Sequence, residues 1–301
     1  MASTSTIPVP AVVHKFFSKF PIYTYPQDEP ASIESATRQT RPTLWIAPPR
    51  SRTDVLSADV ECLKWQAYIA LRGVKNIGVR WDVAPEGAVD GRLPSLVVRE
   101  GTKLEVLGSR MIPGWVDGSL QVEEDAFEGY EDATTKDESR AWVALLEGTV
   151  ESALRFFNTP PVSITSLLLY SSHPPVSHSS KPNKPSLSTL LSPPPAPLSG
   201  LTSLFPPYGE RISPSSMQSQ YYDAVVSLSD RLGQDTWFLG SSGPTALDAL
   251  LFAFLHCLLV APDDLRIPIA RRVNLANYER RVREIVQSSF IAVQNQQNAR
   301  K

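Results

Sequence analysis

The chain has little of what marks a specialised chemistry. Only two cysteines, Cys62 and Cys257, occur in 301 residues. That excludes a disulfide framework and points to a reducing compartment. No CxxC or HExxH pattern accompanies them, and histidine occurs only 4 times, so no metal-ligand spacing is present. Surplus charge is missing too. The 29 basic and 31 acidic residues leave a formal charge of −2, without the basic excess of a nucleic-acid-binding domain. The longest apolar run, Ala249 to Ala261 interrupted by His256, falls short of the roughly 20 residues that span a bilayer. The first residues, MASTSTIPVPAVVHKFF, hold neither a long apolar core nor clustered arginines, so neither a secretory signal nor an Arg-rich presequence is expected. The expectation is a soluble or peripheral protein.

That apolar run is the most informative segment. Thr245-Ala-Leu-Asp248 reads as a capping box in which each side chain bonds the other residue's backbone N–H. Pro244 precludes helix just upstream, and Pro262-Asp263-Asp264 ends the run. A helix apolar on all sides but too short to span a membrane is expected at the centre of a core. His256 and Cys257 are adjacent, so on a helix they point about 100° apart and cannot chelate one metal. The expectation is one core thiol and one histidine that bonds a carbonyl or faces a polar pocket.

Before residue 41 lies an arm rich in Ser, Thr and Pro, with Phe16, Phe17, Phe20, Tyr23 and Tyr25 as an aromatic cluster. A strand is predicted at Thr43–Ala47, then a helix from about Ser57 to Arg72 with Leu63, Ala67, Ala70, Leu71 and Val74 as its buried stripe. Strands follow at Ile77–Val83, Leu93–Val98 and Lys103–Ser109, and a helix near Ser109. The order β-α-β-loop-β-β-α fits a thioredoxin-like layer of helices on a mixed sheet. Gln121 to Glu138 is acidic and reads as an exposed linker plus the start of a helix. Helices are predicted at Ser139–Phe157, Gln218–Leu232, the apolar run and Pro268–Gln287, so the C-terminal half is expected to be all helical. Between Thr159 and Ser215 lie 13 of the 27 prolines, which rules out one regular element. Three regions result: an arm at 1–40, a thioredoxin-like domain at 41–120, and a helical domain at 121–301 with a Pro/Ser-rich insertion at about 159–215.

Thioredoxin-like then helical is the glutathione-transferase arrangement, and two stretches narrow the resemblance. SADVECLKWQAYIALRGV (Ser57–Val74) resembles the first helix of metaxins through Asp59, Glu61, Cys62, Leu63, Ala67 and Tyr68. TWFLGSSGPTALDALLFAFL (Thr236–Leu255) is similar to a second metaxin segment through Phe238, Gly240, Pro244, Thr245, Asp248 and Ala249. VNLANYERRV (Val273–Val282) matches the start of the last metaxin helix, and FFSKFPIYTYP looks like the arm of the fungal metaxin-like subunit without an anchor. The resemblance implies a peripheral subunit of the mitochondrial sorting and assembly machinery, on the cytosolic face of the outer membrane. Its implied partners are the β-barrel core subunit, a second metaxin-like subunit and β-barrel precursors, whose β-signal it helps to recognise. A glutathione-transferase-like enzyme and the other metaxin-like subunit are the alternatives.

An enzyme of that arrangement would activate the glutathione thiol with a hydroxyl or thiol at the start of its first helix. Ser51, Thr53 and Ser57 stand in a long charged loop, and Cys62 comes later, inside the helix. The acidic-Ser pair that holds a γ-glutamyl group is reduced to Gly108-Ser109, while Pro94 keeps the place of a cis-proline. We therefore expect no catalytic, cofactor-binding or metal-ligating residue. Glu61, Cys62, Pro94, Pro244, Thr245 and Asp248 are assigned to structure; Phe16, Phe17, Phe20, Tyr23 and Tyr25 either fold back on the parent domain or dock on a partner, and are assigned to partner binding.

Overall fold

A computed structural model describes residues 41–51, 53–100, 103–121, 128–158 and 213–293. The arm aromatics and nearly all of the Pro/Ser-rich insertion lie outside these residues.

The first half is built on a short buried strand, β1 (Thr43–Trp45), at the centre of a five-stranded sheet ordered β4-β3-β1-β2-β5. It pairs parallel to β2 (Ile77–Arg80) and antiparallel to β3 (Ser95–Glu100), which forms a hairpin with β4 (Lys103–Gly108). The β1–β2 crossover carries α1 (Val60–Leu71), whose buried residues are Cys62, Leu63, Gln66, Ala67, Ile69 and Ala70. Leu63, Ala67 and Ala70 of the expected stripe are buried, but Leu71 and Val74 are only half-buried, since the helix ends at Leu71 and its buried face turns toward Cys62, Gln66 and Ile69. Helix α2 (Ile112–Leu120) follows β4 after one 3-10 turn. The Leu93–Pro94 peptide is cis, as its place before the third strand led us to expect. Strand β2 stops at Arg80 rather than Val83.

The second half contains α3 (Ala133–Leu145), a π-helical segment (Leu146–Val150), α4 (Glu151–Asn158), α5 (Pro214–Leu232), α6 (Ala246–Leu258), α7 (Asp263–Ala270) and α8 (Val273–Ser289). Helix α3 begins at Ala133, within the acidic stretch expected to hold the start of a helix, because Asp132 caps it by accepting from the Thr135 N–H at 2.7 Å. The π segment shifts the helical phase so that Leu146 and Val150 are both fully buried. Helix α5 starts at Pro214, where a missing N–H costs nothing in the first turn.

Two expectations are corrected. The single helix predicted at Pro268–Gln287 is two helices, because Arg272 is extended (φ −98°, ψ 94°) and separates α7 from α8. Pro268 lies inside α7, which starts upstream on Asp263 and Asp264, where acidic side chains favour the helix dipole. The C-terminal half is also not all helical. Strand β5 (Phe290–Ala292) leaves α8 and pairs parallel with β2, joining the sheet of the first half. Gly78 permits this, since a Cβ there would stand 2.7 Å from Val293 Cγ2. Three residues at the end of a helix carry no periodicity by which to find such a strand.

Apart from Ala246, every residue of α6 is buried, and the helix packs against both α1 and α8. Among the described residues no helix is long and apolar enough to cross a membrane. The apolar run is the middle of a core shared by both halves.

Candidate functional site

Most of the described residues singled out from sequence fall into two clusters at opposite ends of α6, about 13 Å apart along its axis at 1.5 Å per residue, with Glu61 and Pro94 outside both. At its start, the Thr245–Asp248 box forms as expected. Asp248 accepts from the Thr245 N–H and hydroxyl, each at 2.8 Å, and Thr245 Oγ1 accepts from the Asp248 N–H at 3.4 Å. The same carboxylate also accepts from the Phe238 N–H at 2.8 Å and the Tyr278 hydroxyl at 2.7 Å. Asp248 therefore joins the Phe238–Gly240 turn, α6 and α8. Its full burial pushes its carboxyl above the usual range, against the pull of those bonds. Pro244 precedes the box half-buried, and Leu239 is held at φ 65° beside it. Tyr278 and Asn274, in the NLANY stretch, are both ties. Asn274 donates to the Ser229 carbonyl at 2.8 Å, fastening α8 to the end of α5.

Towards the other end, α6 meets the loop between β1 and α1, where an enzyme would place its thiol-activating group. Ser57 is buried, its hydroxyl donates to the Ala47 carbonyl at 3.0 Å and accepts from the Asp59 N–H at 3.2 Å. Gln66, a buried polar residue of α1, accepts from the Ser57 N–H at 2.9 Å and donates to the Val55 carbonyl at 2.8 Å. Ser51 and Thr53 bond each other at 2.9 Å on the exposed part of the loop. The helix start itself is occupied by Asp59, whose carboxylate accepts from the Cys62 N–H at 3.0 Å.

Both thiols border this loop. Cys62 Sγ accepts from the Ala47 N–H at 3.3 Å, while Cys257 Sγ lies 3.7 Å from the Ala58 carbonyl and Arg50 donates to the Cys257 carbonyl at 3.5 Å. Burial pushes the Cys62 thiol well above its ordinary value, and the Asp59 carboxylate pushes it further. Burial raises the Cys257 thiol to about 11. Both are protonated and inert at neutral pH. Glu61 is not part of this cluster. It faces solvent, paired with Lys64 at 2.6 Å and accepting from Trp65 Nε1 at 2.9 Å. Pro94 is buried at the head of β3.

His256 faces a buried polar pocket, the second of its two expected settings. Its Nδ1 stands 2.7 Å from Glu279 Oε1 of α8, both side chains being buried, and Arg283 approaches the same oxygen at 3.9 Å. Glu279 falls on the buried side of α8 between Leu275 and Val282, and that position was the available signal. Gln66 could have been found in the same way, inside the apolar stripe of α1. Among the described residues no group of three His, Cys, Asp or Glu side chains is placed to hold a metal ion.

A family model described as "Glutathione S-transferase, C-terminal domain" matches residues 221–282, which run from α5 into α8. A comparison with curated protein sequences finds no match. Solved structures similar to this chain include a glutathione S-transferase from Methylobacterium radiotolerans in complex with glutathione sulfonate, at 15% identity and TM-score 0.47, covering 85% of this chain and 97% of that one. Glutathione transferase Omega 3C from Trametes versicolor aligns at 9% identity and TM-score 0.46 over 88% of this chain and 95% of its own. FzlA from C. crescentus aligns at 11% and 0.47, over 80% and 87%. These three TM-scores are below 0.5, and the fold is shown by the sheet order and the helical-domain match. The fold is glutathione-transferase-like, an N-terminal thioredoxin-like sheet with its helices followed by a C-terminal helical domain.

Proposed function

We propose that this chain is a noncatalytic subunit of the machinery that sorts and assembles β-barrel proteins in the mitochondrial outer membrane. In this reading it sits on the cytosolic face against a β-barrel core subunit and a second metaxin-like subunit, and aids recognition of the precursor's β-signal. One observation supports the noncatalytic part above the rest. The Ser57 hydroxyl, where a thiol-activating group would stand, is buried and committed to two internal bonds. The metaxin-like stretches at Ser57–Val74, Thr236–Leu255 and Val273–Val282 support the assignment to this machinery, and all three lie on helices, α1, α6 and α8, that pack together where the halves meet. Attachment to the membrane is assigned to protein contacts, with Phe16, Phe17, Phe20, Tyr23 and Tyr25 as the aromatic anchors.

Depletion tests this reading. Imported β-barrel precursors should stall before insertion while matrix import stays intact at early times, and alkaline extraction should release the protein from mitochondria. Normal barrel assembly in depleted mitochondria would overturn it. The helical-domain match keeps a glutathione-dependent enzyme as the second reading. Retention on glutathione resin with conjugating activity by the purified chain would select that reading.

A further inference from the structure

The surface between α5 and α7 belongs to neither cluster around α6. Tyr222, Val225, Val226, Pro268, Arg271 and Arg272 line a groove of about 150 Å³ there. Tyr222 and Val226 are exposed large apolar residues, as are Ile267 and Val273, the sequence neighbours of the lining residues Pro268 and Arg272. Tyr222 and Val226, two of the ten exposed large apolar side chains among the described residues, thus line one groove together with two arginines, a combination suited to a contact surface.

Two cations complete it. Arg271 is exposed and has no ion-pair partner among the described residues, and Arg272 reaches Asp230 only at 4.0 Å. We propose that this groove binds a protein segment in which an apolar side chain lies next to a carboxylate. The apolar group fills the space against Tyr222 and Val226, and the carboxylate meets Arg271 and Arg272, guanidinium groups suited to paired hydrogen bonds with carboxylate. The groove has the volume of roughly one large side chain, so it takes an anchor residue with polar contacts at its rim. An anionic bilayer is the poorer occupant. Asp223 and Asp230 on α5 and Asp263 and Asp264 on α7 are all exposed, and Asp263 already neutralises Arg266 at 2.7 Å. The surface therefore lacks the cationic surplus that draws a protein onto anionic lipid.

The inference is independent of the mitochondrial assignment and is tested on the purified full-length chain. A random peptide library displayed on phage is panned against it, and enriched peptides are measured by fluorescence anisotropy. Enriched sequences should pair an aromatic or branched side chain with an adjacent Asp or Glu. Combined Arg271→Glu and Arg272→Glu should weaken them by about ten-fold or more, and Tyr222→Ala should do so separately. Exchanging the peptide carboxylate for Lys should restore part of the binding to the charge-reversed variant, which a folding defect would not allow. Enriched peptides indifferent to these substitutions overturn the proposal. So does charge-dependent sedimentation with phosphatidylserine vesicles in the absence of peptide binding, which would assign the surface to lipid. Self-association lost in the charge-reversed variant would assign it to a second copy of the chain, and equally overturn it.

Discussion

Helices α1 and α6 pack against each other, and each begins with a short acidic or hydroxyl side chain capping its free N–H groups. The two caps differ in everything except that role. Asp59, at the start of α1, is exposed and accepts one bond, from the Cys62 N–H. Asp248, in the first turn of α6, is fully buried and accepts from two elements besides its own cap. A cap in water can be replaced by water. A buried one cannot, so the donors it serves lose their partners altogether. Similar capping chemistry thus does a local job in the first half and a tertiary one in the second.

The sharpest way to break this comparison is to test whether α6 is as sealed as its burial says. Leu251, fully buried in mid-helix, changed to Asp should cost about 4–5 kcal/mol or more and leave the second half unfolded by circular dichroism. A folded Leu251→Asp chain would contradict the core assignment of α6. Asp248→Ala comes next. It strands the Phe238 N–H and the Thr245 N–H and leaves the Tyr278 hydroxyl only the backbone carbonyl of residue 248, at 3.4 Å, at a cost of about 1–3 kcal/mol per unsatisfied group, combined less than additively. The expected loss in urea denaturation is about 3–5 kcal/mol. Asp59→Ala should cost only about 1 kcal/mol. Equal losses at the two caps would abolish the distinction.

Tyr278→Phe sharpens the same contrast by keeping the ring and removing one donor. The hydroxyl bonds a carboxylate, so about 1.5–3 kcal/mol is expected, with the Asp248 cap left intact. In an Asp248→Ala background the Tyr278→Phe effect should shrink, because the hydroxyl no longer has that acceptor. A double-mutant cycle that finds full additivity would mean the two side chains act separately.

The legibility of the chain divides along the same line. The capping box, the apolar helix and the β-α-β-β order could be read because each is fixed by a few adjacent residues with strong local preferences, whereas the cis proline followed only from the resemblance in fold, since X–Pro bonds prefer trans locally. What the sequence concealed depended on residues far apart. His256 and Glu279 are 23 positions apart and meet only because α6 and α8 pack. Strand β5 exists because Gly78, more than 200 residues upstream, leaves room for Val293. Even so, Gln66 and Glu279 carried a usable signal, since each is a polar residue at a position whose helical neighbours are all buried. The candidate thiol-activating hydroxyls were correctly located on the β1–α1 loop, but Ser57's two internal bonds could be found only in three dimensions.

A bridge at the surface gives the smallest effect and carries its own pH signature. Arg231 of α5 donates to both oxygens of Glu138 on α3, at 2.6 and 3.1 Å, and Trp142 adds a third bond at 3.0 Å. The Arg231 bond holds the Glu138 carboxyl below its usual value of 4.5, against a smaller desolvation effect. A carboxyl whose pKa is lower in the folded chain binds fewer protons there than when unfolded. The stability it contributes is therefore present above about 4.5 and is lost as pH falls through the lower folded value. Because the Glu138 side chain remains 38% exposed, solvent screening limits the contribution to about 0.2–1 kcal/mol. Glu138→Gln should thus lower the urea midpoint slightly at pH 7, and the difference from the parent chain should vanish on acidification. A gap of several kcal/mol, or one that widens as the pH falls, would place Glu138 with the sealed network of Asp248 rather than with the exposed cap of Asp59.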